Sequence, residues 1–234
     1  MILEQAVETG YLGLAIGYNG LGILYRQQGR LVQAEALFHL ALGLLVERDG
    51  IDSIEVAPIL NNLASLYKEK ELYAFAEPLY QRALAIRRTR LGDHHPSVAL
   101  CLNNLANLYH AQGLSELADQ RYREALASNE EADAPAEGLT GSILGNWAVL
   151  AHERGLLDDA KLRYERALVI QQQILGRDHP QLLVVLEKYS GLLRETGQLL
   201  EASHFHARAA FIRSHRNVVV LPGLSPSISV TTHD

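Results

Sequence analysis

One pattern of large, small and aromatic residues recurs every 42 residues along almost the whole chain. The period is clearest in a column of large apolar side chains, which are Leu21, Leu63, Leu105, Trp147 and Tyr189. Two alanine columns keep the same spacing, one from Ala34 to Ala202 and the other from Ala41 to Ala209. Five copies follow one another without an insertion. A chain with such a period must stack equivalent units, because one unit alone cannot bury its apolar face.

Each unit is predicted to be a pair of helices. In its first half, large, small and aromatic columns at spacings of one, three and four residues mark one face of a helix. A column of mostly glycine follows, and glycine tolerates the left-handed backbone that ends a helix. That column reads Gly29, Glu71, Gly113, Gly155 and Gly197. The second half places an aromatic column, running from Phe38 to His206, between the two alanine columns. Small residues on both sides of a large one let two antiparallel helices approach closely.

This order of residues resembles the tetratricopeptide repeat, whose usual unit has about 34 residues. The longer unit and two motifs are similar to the kinesin light chain subtype. One motif is LNNLA at Leu102–Ala106, and the other is LG-x-D-H-P, present as LGDHHP (Leu91–Pro96) and LGRDHP (Leu175–Pro180). HEAT and armadillo repeats have similar periods but lack these columns. The resemblance covers roughly residues 12–214 and implies an all-α, right-handed solenoid of five helix hairpins.

The repeat frame divides the chain into an N-terminal segment, a repeat array and a tail. Residues 1–11 are expected to be a helical cap or the end of a truncated helix. The array spans 12–215, with repeats at about 12–50, 51–92, 93–134, 135–176 and 177–215. Residues 216–234 are predicted to be an irregular tail. Two roles stay open for this tail, namely disorder or docking, either on repeat five or in a groove of a second copy.

The joints between repeats are expected to differ. Pro96 and Pro180 suit the first turn of the following helix. Between repeats three and four the motif is replaced by SNEEADAPAEG, Ser128–Gly138. For this acidic stretch we predict an exposed loop and a place of bending, with Pro135 as a candidate to open the next helix.

Asparagines recur on the face of the first helices that packing does not use. They are Asn19, Asn61, Asn62, Asn103, Asn104, Asn107 and Asn146. Asparagine is a poor helix former, so its recurrence needs a reason. The resemblance implies that inner-face asparagines hold the backbone of an extended peptide, since an amide both donates and accepts. The alternative is that they hydrogen-bond between adjacent helices and set the stacking of the repeats.

A second column on the same face can be cationic in all five repeats. It consists of Arg26, Lys68, His110, His152 and Arg194. Such a row suits an acidic or carboxylate-bearing ligand. The adjacent Glu69, Glu153 and Glu195 can neutralise it, which leaves a mixed solvated face as the alternative.

Composition argues against several other functions. The net charge of −6 and the pI near 5.9 are unlike those of a dedicated nucleic-acid binder. No apolar run reaches the length of a membrane span, and a cytoplasmic location is expected. The single cysteine, Cys101, excludes an internal disulfide. The ten histidines show no zinc-site spacing, and no catalytic or dinucleotide motif is present. We therefore expect no enzyme activity, no metal and no cofactor.

Two hypotheses for function follow. The first is a scaffold or adaptor that holds an extended peptide or a partner protein in its concave groove. The second is a regulatory or sensor segment of a larger signalling protein, associated with an NTPase or a protease.

Overall fold

The computed structural model describes residues 2–215, with side chains described from residue 10 onward, and these residues form ten α-helices and no strand. The helices are α1 Ile2–Gln27, α2 Leu31–Asp49, α3 Val56–Glu69, α4 Tyr73–Leu91, α5 Pro96–Ala111, α6 Ser115–Glu130, α7 Glu137–Glu153, α8 Leu157–Leu175, α9 Leu183–Glu195 and α10 Leu199–His215. A 3-10 turn, Pro180–Leu182, precedes α9. The predicted all-α repeat fold is therefore confirmed. The tail and both of its predicted roles lie outside the described residues.

The described residues divide into two compact units, with residues 2–170 in the first and 171–215 in the second. In the first unit, the second helix of each hairpin packs on the first helix of the next, as α2 does on α3, α4 on α5 and α6 on α7. The first helices α1, α3, α5 and α7 also contact one another in order. In the second unit, α9 packs against α10, and the rings of Tyr189 and Phe205 lie 5.0 Å apart. Helix α1 runs without a break through residue 11, so the N-terminal segment and the first repeat share one helix.

The repeat columns form the core of the first unit. Ala34, Ala76, Ala118 and Ala160 are fully buried, each at the same place in its second helix. The aromatic residues one turn later, from Phe38 to Tyr164, are also buried. In the second unit, His206 occupies the same column and is exposed.

The turn inside each hairpin uses a left-handed residue, as the glycine column predicts. The φ angles are +74° at Gly29 and Gly113, +75° at Gly155 and +77° at Gly197. Glu71 adopts the same conformation at +59° and is the one described non-glycine residue with a positive φ. Side chains with a Cβ are disfavoured in this region, so the hairpin turn of repeat two is strained relative to the others.

The LG-x-D-H-P loops begin the following helices as predicted. Pro96 lies in the first turn of α5, and the Nδ1 atom of His95 accepts a hydrogen bond of 3.1 Å from the Ser97 N–H. Pro180 opens the 3-10 turn before α9, and His179 Nδ1 accepts from the Gln181 N–H at 3.3 Å. The second histidine of LGDHHP therefore serves as the helix cap.

The prediction for Ser128–Gly138 is wrong in its extent. Helix α6 continues to Glu130 and α7 begins at Glu137, so the connection is only residues 131–136. Asn129 is fully buried, and Pro135 lies before the N-cap residue Ala136 instead of opening the helix. The Asn129 amide exchanges hydrogen bonds with both backbone groups of Ala136 and donates to the Thr140 hydroxyl at 2.9 Å. These bonds hold the short connection in place, a role that the acidic composition of the stretch does not reveal.

Candidate functional site

The recurring asparagines form a ladder that joins successive first helices. Three hydrogen bonds link residues 43 positions apart: Asn62 Nδ2 to Asn19 Oδ1 at 2.8 Å, Asn104 Nδ2 to Asn61 Oδ1 at 2.7 Å, and Asn146 Nδ2 to Asn103 Oδ1 at 3.3 Å. In each bond an asparagine of one repeat donates to an asparagine of the repeat before it. The stacking role considered for these residues is thus present in the structure. The ladder uses one polar atom of each amide, so a ligand-binding role is compatible with it.

Two of the predicted groove asparagines differ from the others, one in its burial and one in its partner. Asn103 is only 5% exposed. Asn107 accepts a 2.5 Å hydrogen bond from the hydroxyl of Tyr122 in its own repeat. Ser65, one repeat earlier, makes the equivalent 2.8 Å bond with the hydroxyl of Tyr80. This column therefore pairs the buried tyrosine hydroxyls of the second helices, and burial raises the pKa of Tyr80 to about 12. The partly exposed asparagines of this face are Asn19, Asn61, Asn62, Asn104, Asn107 and Asn146.

The predicted cationic column is partly neutralised from the following repeat. Arg26 Nη1 lies 3.4 Å from Glu69 Oε1, and His110 Nε2 lies 2.7 Å from Glu153 Oε2. His152 lies edge-on to the ring of Tyr164, with 6.4 Å between the ring centroids. Arg194, in the second unit, contacts His206 Nδ1 at 3.1 Å.

Lys68 differs from the other cations of this column. The residue that would face it from the next repeat is Ala111, where Arg26 and His110 each meet a glutamate. Among the described side chains Lys68 has no ion pair. Its side chain is partly buried, and this burial lowers the pKa of its ammonium group, with Arg26 adding to the effect and Glu69 opposing it. Lys68 is therefore a cation without an ion pair of its own beside the asparagine ladder, although the charge of Glu69, which pairs with Arg26, also acts on it.

An acidic column that the sequence analysis missed joins three second helices, α2, α4 and α6, to the next first helix. Glu35 accepts from the hydroxyl of Tyr67 and Glu77 from that of Tyr109, both at 2.9 Å. In repeat four Ala151 replaces the tyrosine, and Asp119 instead accepts a 2.7 Å bond from the indole N–H of Trp147. The signal was available, since the three acids also recur every 42 residues.

Apolar side chains also line the asparagine-bearing face, and sequence reading did not single them out. Ile16 is 62% and Leu100 is 37% exposed. Ile16, Leu100 and the exposed Pro58 occupy one column, a turn before the asparagines. We call the face of α1, α3, α5 and α7 that carries these residues, the ladder and Lys68 the inner face. It combines amide groups, apolar side chains and one cation, Lys68, that makes no ion pair with a described side chain.

The described side chains contain no group of three or more His, Cys, Asp or Glu that could hold a metal ion. Among the described helices, none is long and apolar enough to cross a membrane. Cys101 is buried, and burial raises the pKa of its thiol although Arg87 Nη1 lies 3.0 Å from the sulfur.

Helix hairpins that stack through alanine and aromatic columns define a helical repeat protein. The sequence profile of the tetratricopeptide repeat matches residues 13–89, 55–131 and 139–212, so the chain belongs to the tetratricopeptide repeat family. Comparison with curated proteins gives no match.

Solved structures similar to the chain include kinesin light chain-like proteins. BtubC (BKLC) from P. vanneervenii is 26% identical with a TM-score of 0.72, over 96% of this chain and 89% of that one. A kinesin light chain-like protein of Podospora anserina, built of nearly identical TPR-like repeats, is 20% identical with a TM-score of 0.62, over 86% and 96%. A Rap protein in complex with competence and sporulation factor is 16% identical with a TM-score of 0.71, over 84% and 53%.

Proposed function

We propose that this chain is a non-catalytic scaffold that binds an extended, acidic peptide segment of a partner protein along the inner face. The observation that carries the proposal is Lys68, a partly buried cation that makes no ion pair with a described side chain and lies beside a row of half-exposed amides. Burial without a partner is unfavourable for a charged group. Such a residue contributes little to folding, and a ligand carboxylate is the group that would compensate it.

The asparagine ladder supports an extended ligand. Each amide that donates to the previous repeat keeps its own oxygen as an acceptor, and each amide that accepts keeps its N–H groups. Outward-facing donors and acceptors along Asn19, Asn61, Asn62, Asn104 and Asn146 match the alternating N–H and C=O groups of a peptide backbone. The ladder also fixes the rotamers of these side chains, so that less conformational entropy is lost on binding.

Side-chain selectivity would come from the apolar column and from Lys68. Ile16 and Leu100 offer exposed apolar surface on the inner face. A ligand with an acidic residue and one or two apolar residues would use both features. A few net hydrogen bonds of about 1 kcal/mol each and one charge-assisted bond support an affinity near micromolar.

The test uses a phage library of random 12-residue peptides selected on the full chain. We expect the selected peptides to be rich in Asp and Glu and to bind with micromolar affinity in fluorescence anisotropy. Lys68→Met should weaken this binding about tenfold, the effect of losing one charge-assisted hydrogen bond. The matched control is Arg90→Met, which removes an exposed cation from the second helix α4 and should leave binding unchanged.

The same variants separate a binding defect from a folding defect. Lys68→Met removes a partly buried charge that has no partner, so its midpoint of chemical denaturation should equal or exceed that of the wild type. The proposal fails if selected peptides bind Lys68→Met as tightly as the wild type, or if Arg90→Met weakens them equally. It fails too if the library yields no binding peptide.

A further inference from the structure

We infer that the chain binds a second copy of itself through α1, with the two α1 helices antiparallel. The surface concerned is the side of α1 opposite its contact with α2, which we call the outer face of α1. It carries Leu14, Leu21 and Leu24, which are 54%, 39% and 53% exposed. This surface is separate from the inner face and the inference does not depend on the proposed function.

The equivalent positions are buried in the next two first helices, α3 and α5. In α3 the equivalents of these three leucines are Val56, Leu63 and Leu66, with exposures of 0%, 1% and 0%. In α5 they are Val98, Leu105 and Leu108, with the same exposures. The helix that covers them is the second helix of the preceding hairpin, α2 in one case and α4 in the other. The outer face of α1 is thus a stacking surface whose apolar side chains lie open.

Helix α1 departs from the other first helices at one position of this face. Gly17 stands where α3, α5 and α7 have Ile59, Cys101 and Ile143, all buried. A Cβ atom built at Gly17 would meet nothing within 4 Å. The outer face therefore has a notch between Leu14 and Leu21 that a repeat-stacking helix does not have. A large side chain is needed to fill it.

Leu21 on the outer face of a second copy is a side chain that fits this notch. Gly10, Leu14, Gly17, Leu21 and Leu24 are spaced four, three, four and three residues apart, which is the seam of two helices that pack side by side. An antiparallel arrangement centred between positions 17 and 21 places Leu21 of each copy in the Gly17 notch of its partner. The same two-fold axis brings Leu14 against Leu24. In this arrangement the large Leu21 side chain of one copy packs on Gly17 of the other. The outer face of α1 is therefore complementary to itself, as a two-fold interface requires.

The charge and the helix propensity of this segment also favour a second copy of α1 as the partner. Residues 10–25 contain no Asp, Glu, Lys, Arg or His, so a two-fold axis through this segment opposes no like charges. Gly10, Gly13, Gly17 and Gly20 have open space at the Cβ position. Glycine weakens an isolated helix, and packing against a partner helix would compensate for that weakness while the missing side chains permit close approach.

The first experiment measures the mass of the chain in solution by light scattering over the micromolar range. We expect twice the 25.9 kDa of one chain. Gly17→Leu fills the notch without a clash inside the chain and should give a monomer with unchanged or higher helix content. The matched control is Gly43→Leu on α2, where the Cβ also has open space, and it should remain dimeric.

A second experiment tests the register. Chains carrying Gly17→Cys and chains carrying Leu21→Cys are mixed and mildly oxidised. We expect the disulfide between the two different variants to form faster than either variant couples with itself. A monomeric wild type would overturn the inference, and so would a dimer that survives Gly17→Leu. Disulfides that form equally in all combinations would overturn the antiparallel register.

Discussion

Two joints of the first unit place a second helix on the following first helix by different means. The regular joint, α4 on α5, has the LGDHHP loop, in which His95 caps α5 through the Ser97 N–H. The divergent joint, α6 on α7, lacks that motif, and Asn129 holds the connection through Ala136 and Thr140. The helices nevertheless pack in the same order.

One repeat column performs this task in both joints. Arg87 and Asn129 are 42 residues apart and both are buried. Arg87 Nη1 donates to the Ser97 carbonyl at 3.0 Å, while Asn129 binds the corresponding stretch before α7. In repeat one the column holds Leu45, which is buried without a polar group. In both joints the side chain at this position makes hydrogen bonds at the start of the next helix. Its residue type differs because the two helix starts offer different groups, a backbone carbonyl to Arg87 and both backbone groups of Ala136 to Asn129.

The largest effect is expected from removing Asn129. Asn129→Leu removes the partner of the Ala136 N–H and of the buried Thr140 hydroxyl, while the Ala136 carbonyl keeps its bonds from the N–H groups of Leu139 and Thr140. The loss should cost about 3 kcal/mol of unfolding free energy. Urea denaturation followed by circular dichroism measures this change.

The matched substitution in the regular joint is Arg87→Leu. Because His95 and Pro96 start α5 independently of Arg87, we expect a cost of only about 1 kcal/mol. Equal costs in the two joints would show that the column serves packing alone and that the Asn129 hydrogen bonds are unimportant.

The next effect concerns the aromatic–acid contact, made by Tyr109 and Glu77 in the regular joint and by Trp147 and Asp119 in the divergent one. Trp147→Leu restores the usual residue of its column but removes the indole bond and the stacked Arg163 guanidinium, 4.1 Å from the ring centre. It should cost about 2 kcal/mol.

The double variant Trp147→Leu/Ala151→Tyr rebuilds the regular arrangement. Its tyrosine hydroxyl should reach Asp119, and we expect at least half of the lost stability to return. If the double variant is no more stable than Trp147→Leu, the two joints differ in backbone geometry and not only in side chains.

The fold could be predicted from the sequence because the repeat period fixes it several times over. Alanine and aromatic columns give the packing faces, and the glycine column gives the hairpin turns even at Glu71, where glycine is missing. The divergent joint could not be predicted in the same way. Asn129 holds this joint through hydrogen bonds that it makes as a buried residue. The acidic residues around it predicted an exposed loop instead.

The candidate site was predictable as a set of residues but not as a set of contacts. The asparagine columns are visible at 42 residues, whereas the hydrogen bonds between them span 43. That shift depends on how successive helices are offset, which no single repeat reveals. The same offset explains why Lys68 makes no ion pair with the next repeat. The residue 43 positions after it is Ala111, whereas the residues 43 positions after Arg26 and His110 are glutamates.

The turn of repeat two offers a smaller test within a regular part of the chain. Glu71 is left-handed at a φ of +59°, where the other four hairpins have glycine at φ angles from +74° to +77°. Glu71→Gly should stabilise the chain by about 1 kcal/mol, because the Cβ penalty disappears. Gly113→Glu is the reciprocal change and should destabilise it by a similar amount in thermal or urea unfolding. A loss of stability in Glu71→Gly would mean that the side chain makes a contact worth more than the strain.

The smallest effect is a pH dependence that tyrosine joints have and the tryptophan joint lacks. Burial and the hydrogen bond to Glu35 raise the pKa of Tyr67 from 10.0 to about 12. A raised pKa means that folding favours the protonated hydroxyl, so this contribution is complete below pH 10 and is lost as the pH rises toward 12.

Tyr67→Phe should be less stable than the wild type by about 0.5 kcal/mol at neutral pH. The difference between the two should shrink above pH 10, as measured by urea denaturation, because the unfolded chain ionises its tyrosine there while the folded chain, with the Tyr67 hydroxyl bonded to the Glu35 carboxylate, resists ionisation. Comparison with Tyr67→Phe isolates this residue from the other tyrosines, and Trp147, which does not titrate, should show no such convergence when Trp147→Leu is compared with the wild type over the same range. A constant difference between wild type and Tyr67→Phe at every pH would show that Tyr67 contributes only through its ring.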